Sequence, residues 1–431
     1  MQKTKNRNPV VGPSKPRLLG VLGPGLITGA SDDDPSGIAT YSQAGAQFGF
    51  GLTWTMLFSY PLMSVVQEIS ARIGRTTGRG IAGNMRKYYP NWLLQSVVVL
   101  LLVANTINIG ADLGAMGDAL KLIIGGPSLL YVVAFGAISV VLQVFLNYTR
   151  YVSVLKWLTL SLFAYFGTVL FVSVPWAEVA RGLLLPKFTA DANFWTSVVA
   201  ILGTTISPYL FFWQASQEVE DEKAKPERQP LKDAPQQTQS AVERIRLDTY
   251  VGMAFSNIVA LAIMITAGAT LHANGVTDIQ STSQAAEALK PVAGNFAFAI
   301  FAVGVIGTGL LAIPVLAGSA GYALGEARKW PIGLDRKPLE AKAFYATIAV
   351  ATVVGACLNF TPVNPIKALF WSAVVNGVVA VPVMAVMMAM AGRQDIMGAA
   401  TVPLFLRAIG WIATVVMAGA AVVMIGQIVV V

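Results

Sequence analysis

"ITGASDDDPSGIATYSQ", residues 27–43, is the stretch on which the reading of this chain turns. Three consecutive aspartates, Asp32, Asp33 and Asp34, run into Pro35, Ser36 and Gly37, and no basic residue lies between Arg17 and Arg72. Proline lacks an N–H, and its ring crowds the carbonyl four residues back, here that of Ser31. It also pushes the preceding residue, Asp34, away from helical angles, while Gly37 lets the backbone keep turning. The spacing therefore predicts a helix broken near Asp34, with free carbonyls beside a carboxylate.

The surroundings make such a break costly. The chain has 431 residues, of which 55% are hydrophobic and 12% charged, about half the charged share usual in a soluble domain. Apolar runs of about twenty residues recur from end to end, as in an all-α integral membrane protein. Eleven helices are expected, at about 18–45, 50–72, 92–122, 128–148, 152–174, 192–216, 247–271, 293–324, 341–358, 366–391 and 403–430. A basic cytoplasmic tail (1–17) precedes a single transmembrane domain (18–430), and residues 217–246 form a cytoplasmic loop. Within that loop "EDEKAKPERQPLKDAPQQTQSAVER" reads as a disordered linker between the first six helices and the last five.

The net charge of +8 follows from topology and gives no reason to expect a nucleic-acid partner. With the N-terminus inside, only Lys121, Arg181, Lys187, Lys290 and Lys367 of the 30 Lys and Arg fall outside, as the positive-inside rule requires. No cleaved signal peptide is apparent, since the basic tail leads straight into the first span. The lone cysteine, Cys357, has no intrachain partner and reads as a small core residue.

A second break is expected in the sixth helix, "ILGTTISPYLFFWQASQE", where Pro208 frees the carbonyl of Thr204 amid Gly203, Thr205 and Ser207. Helices 1 and 6 are five apart, the offset of LeuT-type inverted repeats formed by helices 1–5 and 6–10. Interrupted helices at corresponding positions point to a transporter site at the bilayer midplane, because unwound backbone at that depth must line a protein cavity. A proline kink often only shapes packing, and Pro208 alone fits that account. Asp34 does not, since a buried aspartate costs about 2.5–3.5 kcal/mol on insertion scales. A carboxylate, free carbonyls and hydroxyls form an oxygen-only donor set, suited to Mg²⁺, Ca²⁺ or Mn²⁺. The candidate ligands are Asp34, Ser31, Asp33, Gly37, Thr204, Thr205, Ser207 and Asn376.

The stretch from "GPGLITGASDDDPSGIATYSQAGAQFGF" to "ARIGRTTGRGIA" resembles the start of the NRAMP (natural resistance-associated macrophage protein) divalent-metal transporters. In that family an Asp-Pro-Gly-Asn motif and a Met-Pro-His motif hold the metal. By resemblance Asp34 matches the aspartate and Thr204 the carbonyl donor. Gly37 stands at the asparagine, Ser207 at the methionine and Tyr209 at the histidine. The family's glutamine in helix 10 falls at Ala373, with Asn376 on the same helix face. Methionine sulfur favours transition metals over hard ions, so Ser207 implies weak discrimination against Mg²⁺ and a wide, acidic cavity for a partly hydrated ion. Asp32, Asp33, Thr205, Ser207 and Asn376 are then expected to meet its water shell. In helix 3 Asp112 keeps a family aspartate, as a remnant relay or a hydrogen-bonded core group, while Asn105 and Ala115 stand at glutamates. The sole histidine, His272, lies at the outer end of helix 7.

This pattern resembles the NRAMP-related magnesium transporters. It implies uptake of Mg²⁺, with Mn²⁺ accepted, by a monomer in the inner (plasma) membrane, without proton coupling and without a cofactor. Alternatives are a proton-coupled Mn²⁺/Fe²⁺ transporter, an organic-solute carrier of the same architecture, and a membrane-embedded enzyme. Carboxylates at the helix 1 break would repel an amino-acid substrate, and no motif supports an enzyme. Of the remaining polar residues, Glu68 and Arg72 are spaced for an intrahelical ion pair. Gln214 and Glu218 either line an exit path or end the sixth helix in solvent. Gly304, Gly307 and Gly309 favour close helix packing.

Overall fold

The computed structural model describes residues 28–29, 31–145, 162–225 and 227–430. The beginning of the first expected span and of the fifth lie outside these residues. Among the described residues only helices and turns occur. The principal helices are α1 (Pro35–Phe48), α2 (Trp54–Thr77), α3 (Asn91–Ile124), α4 (Ser128–Phe145), α5 (Phe163–Phe171), α6 (Ala192–Thr205), α7 (Pro208–Lys223), α8 (Thr238–Thr270), α9 (Ala297–Arg328), α10 (Lys342–Leu358), α11 (Pro365–Ala391) and α12 (Leu404–Val430).

Both predicted breaks are present. Residues 31–32 are helical, Asp33 and Asp34 are not, and α1 begins at Pro35. The sixth span ends its first half at Thr205 and restarts at Pro208, with Ser207 extended between them (φ −85°, ψ 133°). Seven described helical segments are long and apolar enough to cross a membrane, and Lys342–Leu358 is a shorter apolar one. The second span, α2, falls short on hydropathy because it carries Gln67, Glu68, Arg72 and Arg75, all buried against neighbours.

Packing reveals the repeat that residue identity hides. α1 lies along α8, and α7 lies along α2, while α3 runs against α9. Exchanging spans 1–5 for 6–10 turns the first pair into the second and the third pair into itself, as an inverted repeat requires. The crossings are backbone-close, which only glycine permits. A Cβ on Gly29 would stand 2.3 Å from the Gly252 carbonyl oxygen, and one on Gly45 2.4 Å from that of Met264, so α8 seats the chain on both sides of the first break. On α6, a Cβ at Gly203 would come 2.0 Å from the Ala373 carbonyl oxygen of α11. Gly309 of α9 similarly admits Met116, whose sulfur would lie 2.5 Å from an added Cβ.

Three expectations change. The polar stretch between the halves is folded: α7 runs to Lys223, α8 starts at Thr238, and the connector pairs Leu231 N and Lys232 N with the carbonyls of Arg75 and Thr76 at 3.2 and 3.1 Å. Lys225 and Arg228 pair with Asp221 of α7, and Arg75 of α2 bonds the Gln229 carbonyl and the Gln237 side chain, so the stretch does not behave as a linker. Cys357 is exposed on the outer face of α10 and is not part of the core. Glu218 and Gln214 are fully buried: Glu218 pairs with Arg244, and Gln214 accepts from Thr28, so α7 does not end in solvent there. The Glu68–Arg72 pair forms as spaced.

Gly203→Val is expected to lower stability by about 3 kcal/mol, the upper end for overpacking, read as a reduced Tm of the purified protein. A Tm equal to wild type would show that α6 and α11 are not in backbone contact.

Candidate ion-binding site

Asp34 is where local sequence and site chemistry meet. It is extended (φ −71°, ψ 171°) and caps α1, its Oδ1 accepting from the Gly37 amide at 2.8 Å and the Ser36 hydroxyl at 2.6 Å. Asp at the cap followed by Pro at the first helical position is a strong start signal. It sets the carboxylate at the positive end of the α1 dipole. The other oxygen, Oδ2, faces the interior. It accepts from Asn108 Nδ2 at 3.1 Å, and the Tyr209 phenol lies 3.4 Å away. That phenol is also 3.3 Å from the Ser31 carbonyl. One proton shared between Ser31 and Asp34 thus ties the restart of the sixth span to the break in the first.

Asn108, on α3, is the residue that sequence reasoning missed. Its Nδ2 donates to Asp112 Oδ2 at 3.1 Å as well as to Asp34, and its Oδ1 accepts from Asn376 Nδ2 at 2.9 Å. One carboxamide thereby joins α1, α3 and α11. The signal was present: Asn108 and Asp112 are four apart in an apolar helix, hence on one face.

The other expected ligands are placed as follows. Ser207 turns its hydroxyl back onto α6, donating to the carbonyls of Gly203 (2.7 Å) and Thr204 (2.9 Å). Thr204 and Thr205 hydroxyls both bond the Ile201 carbonyl. Both threonine side chains are thus spent inside their own helix, and the Thr204 carbonyl at the break accepts from Ser207. Asn376 reaches Asp34 only through Asn108. Asp32 and Asp33 face α8 instead, where the Ser256 hydroxyl lies 2.5 Å from Asp32 Oδ2 and 3.1 Å from Asp33 Oδ1. Neither is solvated: both are 1% exposed.

The wide cavity expected from the lost side-chain ligands is not formed in this arrangement. Asn108 and Tyr209 occupy that space and bond the carboxylate directly, leaving Asp34 only 2% exposed. Elsewhere on α3, Asn105 Nδ2 donates to the Leu316 carbonyl and Ser319 hydroxyl of α9, both at 2.8 Å, as a cross-link between helices. Ala115 is buried and apolar. His272 bonds the Ala46 carbonyl through Nδ1 at 2.8 Å, at the far end of α1 from Asp34.

Two interrupted spans from paired repeats, meeting at one buried carboxylate, define a secondary transporter of the broken-helix class. The chain belongs to the Nramp family: the family model described as "Natural resistance-associated macrophage protein-like" matches residues 25–427. It is 28% identical over 301 residues to the divalent metal cation transporter MntH of Yersinia pestis (strain Pestoides F), covering 68% of this chain and 69% of that one. It is 27% identical over 411 residues to MntH of Xanthomonas campestris pv. campestris, covering 94% and 89%. Among solved structures, the Eremococcus coleocola manganese transporter superposes with a TM-score of 0.75 at 16% identity, over 97% of this chain and 89% of that one. The nucleobase-cation-symport-1 transporter Mhp1 gives 0.51 at 14% identity, over 94% and 92%. Both likenesses concern the fold. The chain is a multi-pass membrane transporter and not an enzyme.

The two roles of Asp34 separate by substitution. Asn caps a helix as well as Asp does, so Asp34→Asn should exceed Asp34→Ala in stability by about 1 kcal/mol in thermal unfolding of the purified protein. Equal Tm values for these two uncharged variants would remove the capping role.

Proposed function

We propose that this transporter imports divalent metal cations, Mg²⁺ foremost and Mn²⁺ as an accepted competitor, as partly hydrated ions and without proton coupling. The observation that carries the reading is the surroundings of Asp34 Oδ2: it accepts from the Asn108 amide and the Tyr209 phenol, and that phenol also reaches the Ser31 carbonyl, with no sulfur among these contacts. At the position of the family's methionine stands Ser207, an oxygen donor. Hard donors without sulfur suit Mg²⁺ and Mn²⁺ and give little preference for softer metals. Among the described residues no three His, Cys, Asp or Glu side chains form a metal-holding group. Neutral oxygens and retained water then complete the shell, in keeping with the reluctance of Mg²⁺ to dehydrate.

Uncoupled transport rests on the proton carriers. Asn105 and Ala115 replace the glutamates that the resemblance places there, and both are built into helix packing. The only histidine bonds a carbonyl near the opposite end of α1. Uptake needs no proton, since a divalent ion gains about 4.6 kcal/mol entering a cell at a potential of about 100 mV. The curated relatives named divalent metal cation transporters support the substrate class. The charge asymmetry of the loops supports a cytoplasmic N-terminus in the plasma membrane. We infer a monomer working as one transmembrane unit.

In proteoliposomes, Mg²⁺ influx inhibited competitively by Mn²⁺, with no lumenal acidification, is the expected result. Stoichiometric proton entry accompanying the metal overturns the uncoupled mechanism. Asp34→Ala should abolish influx in protein that remains folded, and unchanged Mg²⁺ uptake would dismiss the site. Ser207→Met, by restoring a soft ligand, should shift the Mn²⁺/Mg²⁺ preference about tenfold towards Mn²⁺, roughly 1.4 kcal/mol.

A further inference from the structure

The geometry points to α3 as a wall of the ion site: we propose that Asp112 Oδ2 and the side-chain oxygen of Asn108 join Asp34 as ligands of the transported divalent cation. The proposal rests on Asp34 being the cation's anchor and adds the residues that complete it.

Distance is the first support. The Asn108 Nδ2 stands 3.1 Å from Asp34 Oδ2 and 3.1 Å from Asp112 Oδ2. Adjacent ligands of an octahedral ion with metal–oxygen distances of about 2.1 Å lie about 3.0 Å apart. The carboxamide head therefore already sits at ligand spacing from two carboxylate oxygens on different helices.

The chemistry of the amide supplies the second. In the arrangement described, the NH₂ group faces both carboxylates. A cation bound between them repels that group and attracts the carbonyl oxygen. A half-turn of the carboxamide exchanges the two atoms with almost no change in shape, so three oxygens then face the ion. The turn leaves the number of unpartnered buried groups unchanged, since the Asn376 NH₂ takes the place of its own unpaired oxygen. Asn108 Nδ2 comes to face Asn376, whose Oδ1 is buried without a hydrogen-bond partner among the described residues. Asn376 turns in concert, its Oδ1 accepts, and the hydrogen bond between α3 and α11 is kept with donor and acceptor reversed.

Charge supplies the third. Asp112 is fully buried, its Oδ1 also lacks a partner, and among the described residues neither Asp34 nor Asp112 has a Lys or Arg at ion-pair distance. A buried carboxylate pair without a basic neighbour is costly. One divalent ion matches their combined charge. Occupancy between α1 and α3 is then transmitted to α11 by the paired amide reversal, giving ion loading a direct mechanical link to the tenth span.

The test is equilibrium Mn²⁺ binding to the purified full chain, followed by the electron paramagnetic resonance signal of free Mn²⁺. Asp112→Asn and Asn108→Leu should each raise the Kd at least about tenfold, a loss near 1.4 kcal/mol, and Asn376→Ala several-fold. The metal-free Tm of Asp112→Asn should equal or exceed wild type. An Asp112 that is merely a hydrogen-bond acceptor gives a different result, because Asn still accepts from Asn108 and the Kd stays within about twofold. That outcome, with Asp34→Ala abolishing binding, overturns this inference alone. Absence of Mn²⁺ binding in wild type, or full binding in Asp34→Ala, overturns the reading of the site itself. Should Asn108→Leu fail to fold, the isosteric Asp112→Asn decides.

Discussion

Carboxylates buried without basic partners are the constraint around which the rest of this molecule is arranged. Asp32, Asp33, Asp34 and Asp112 are all at most 2% exposed, and none forms an ion pair among the described residues. Each is held by uncharged donors: a backbone amide and hydroxyl at Asp34, one shared serine at Asp32 and Asp33, one asparagine at Asp112. Such donors lessen the desolvation cost of burying these groups but supply no positive charge. The arginines could have supplied it but are engaged at one end of the bundle, Arg72 with Glu68, Arg75 with Glu222 and Arg244 with Glu218. Arginine-paired carboxylates at the rim are thus separated from carboxylates without basic partners at the centre, and the proposed site depends on that separation.

Backbone geometry then decides where that site falls. Each proline stops a helix and starts another, and the paired repeats bring the two interruptions together. Glycines at the crossings let α8 and α11 approach to backbone contact, which leaves little freedom for the half-helices to lie elsewhere. Asp34 thus acts twice. It organises the first turn of α1 with one oxygen and offers the other to the interior, so the same residue specifies a local structure and a chemistry.

Much of this was legible in the chain. Pro35 and Pro208 announced the breaks because proline's effect is local, and hydropathy marked the spans because each is long and apolar. The release of the Ser31 and Thr204 carbonyls, four residues before each proline, followed from the same geometry, and each accepts from a side chain at its break. What was not legible involved contacts made by partners distant in sequence. Asn108 reads as one polar residue in an apolar helix until Asp34 and Asn376 are brought to it. Asp33 sits beside Asp34 in sequence, yet its side chain goes to α8, because leaving the helix at the break turns neighbouring side chains apart. The connector 224–237 looked unstructured by composition, since composition says nothing of the α2 carbonyls that accept its amides. The breadth of the cavity was misjudged because ligands lost from one helix were replaced by bulk from others, Tyr209 and Asn108.

That connector has a bearing on motion. Arg75 reaches Glu222 at 3.2 Å and the Gln237 side chain at 2.8 Å, while the amides of Leu231 and Lys232 clasp the end of α2. The connector inside the second repeat thus buckles α7 to α2 of the first with several fasteners at that rim. Any relative movement of α2 and α7 at that rim has to break several of these bonds together.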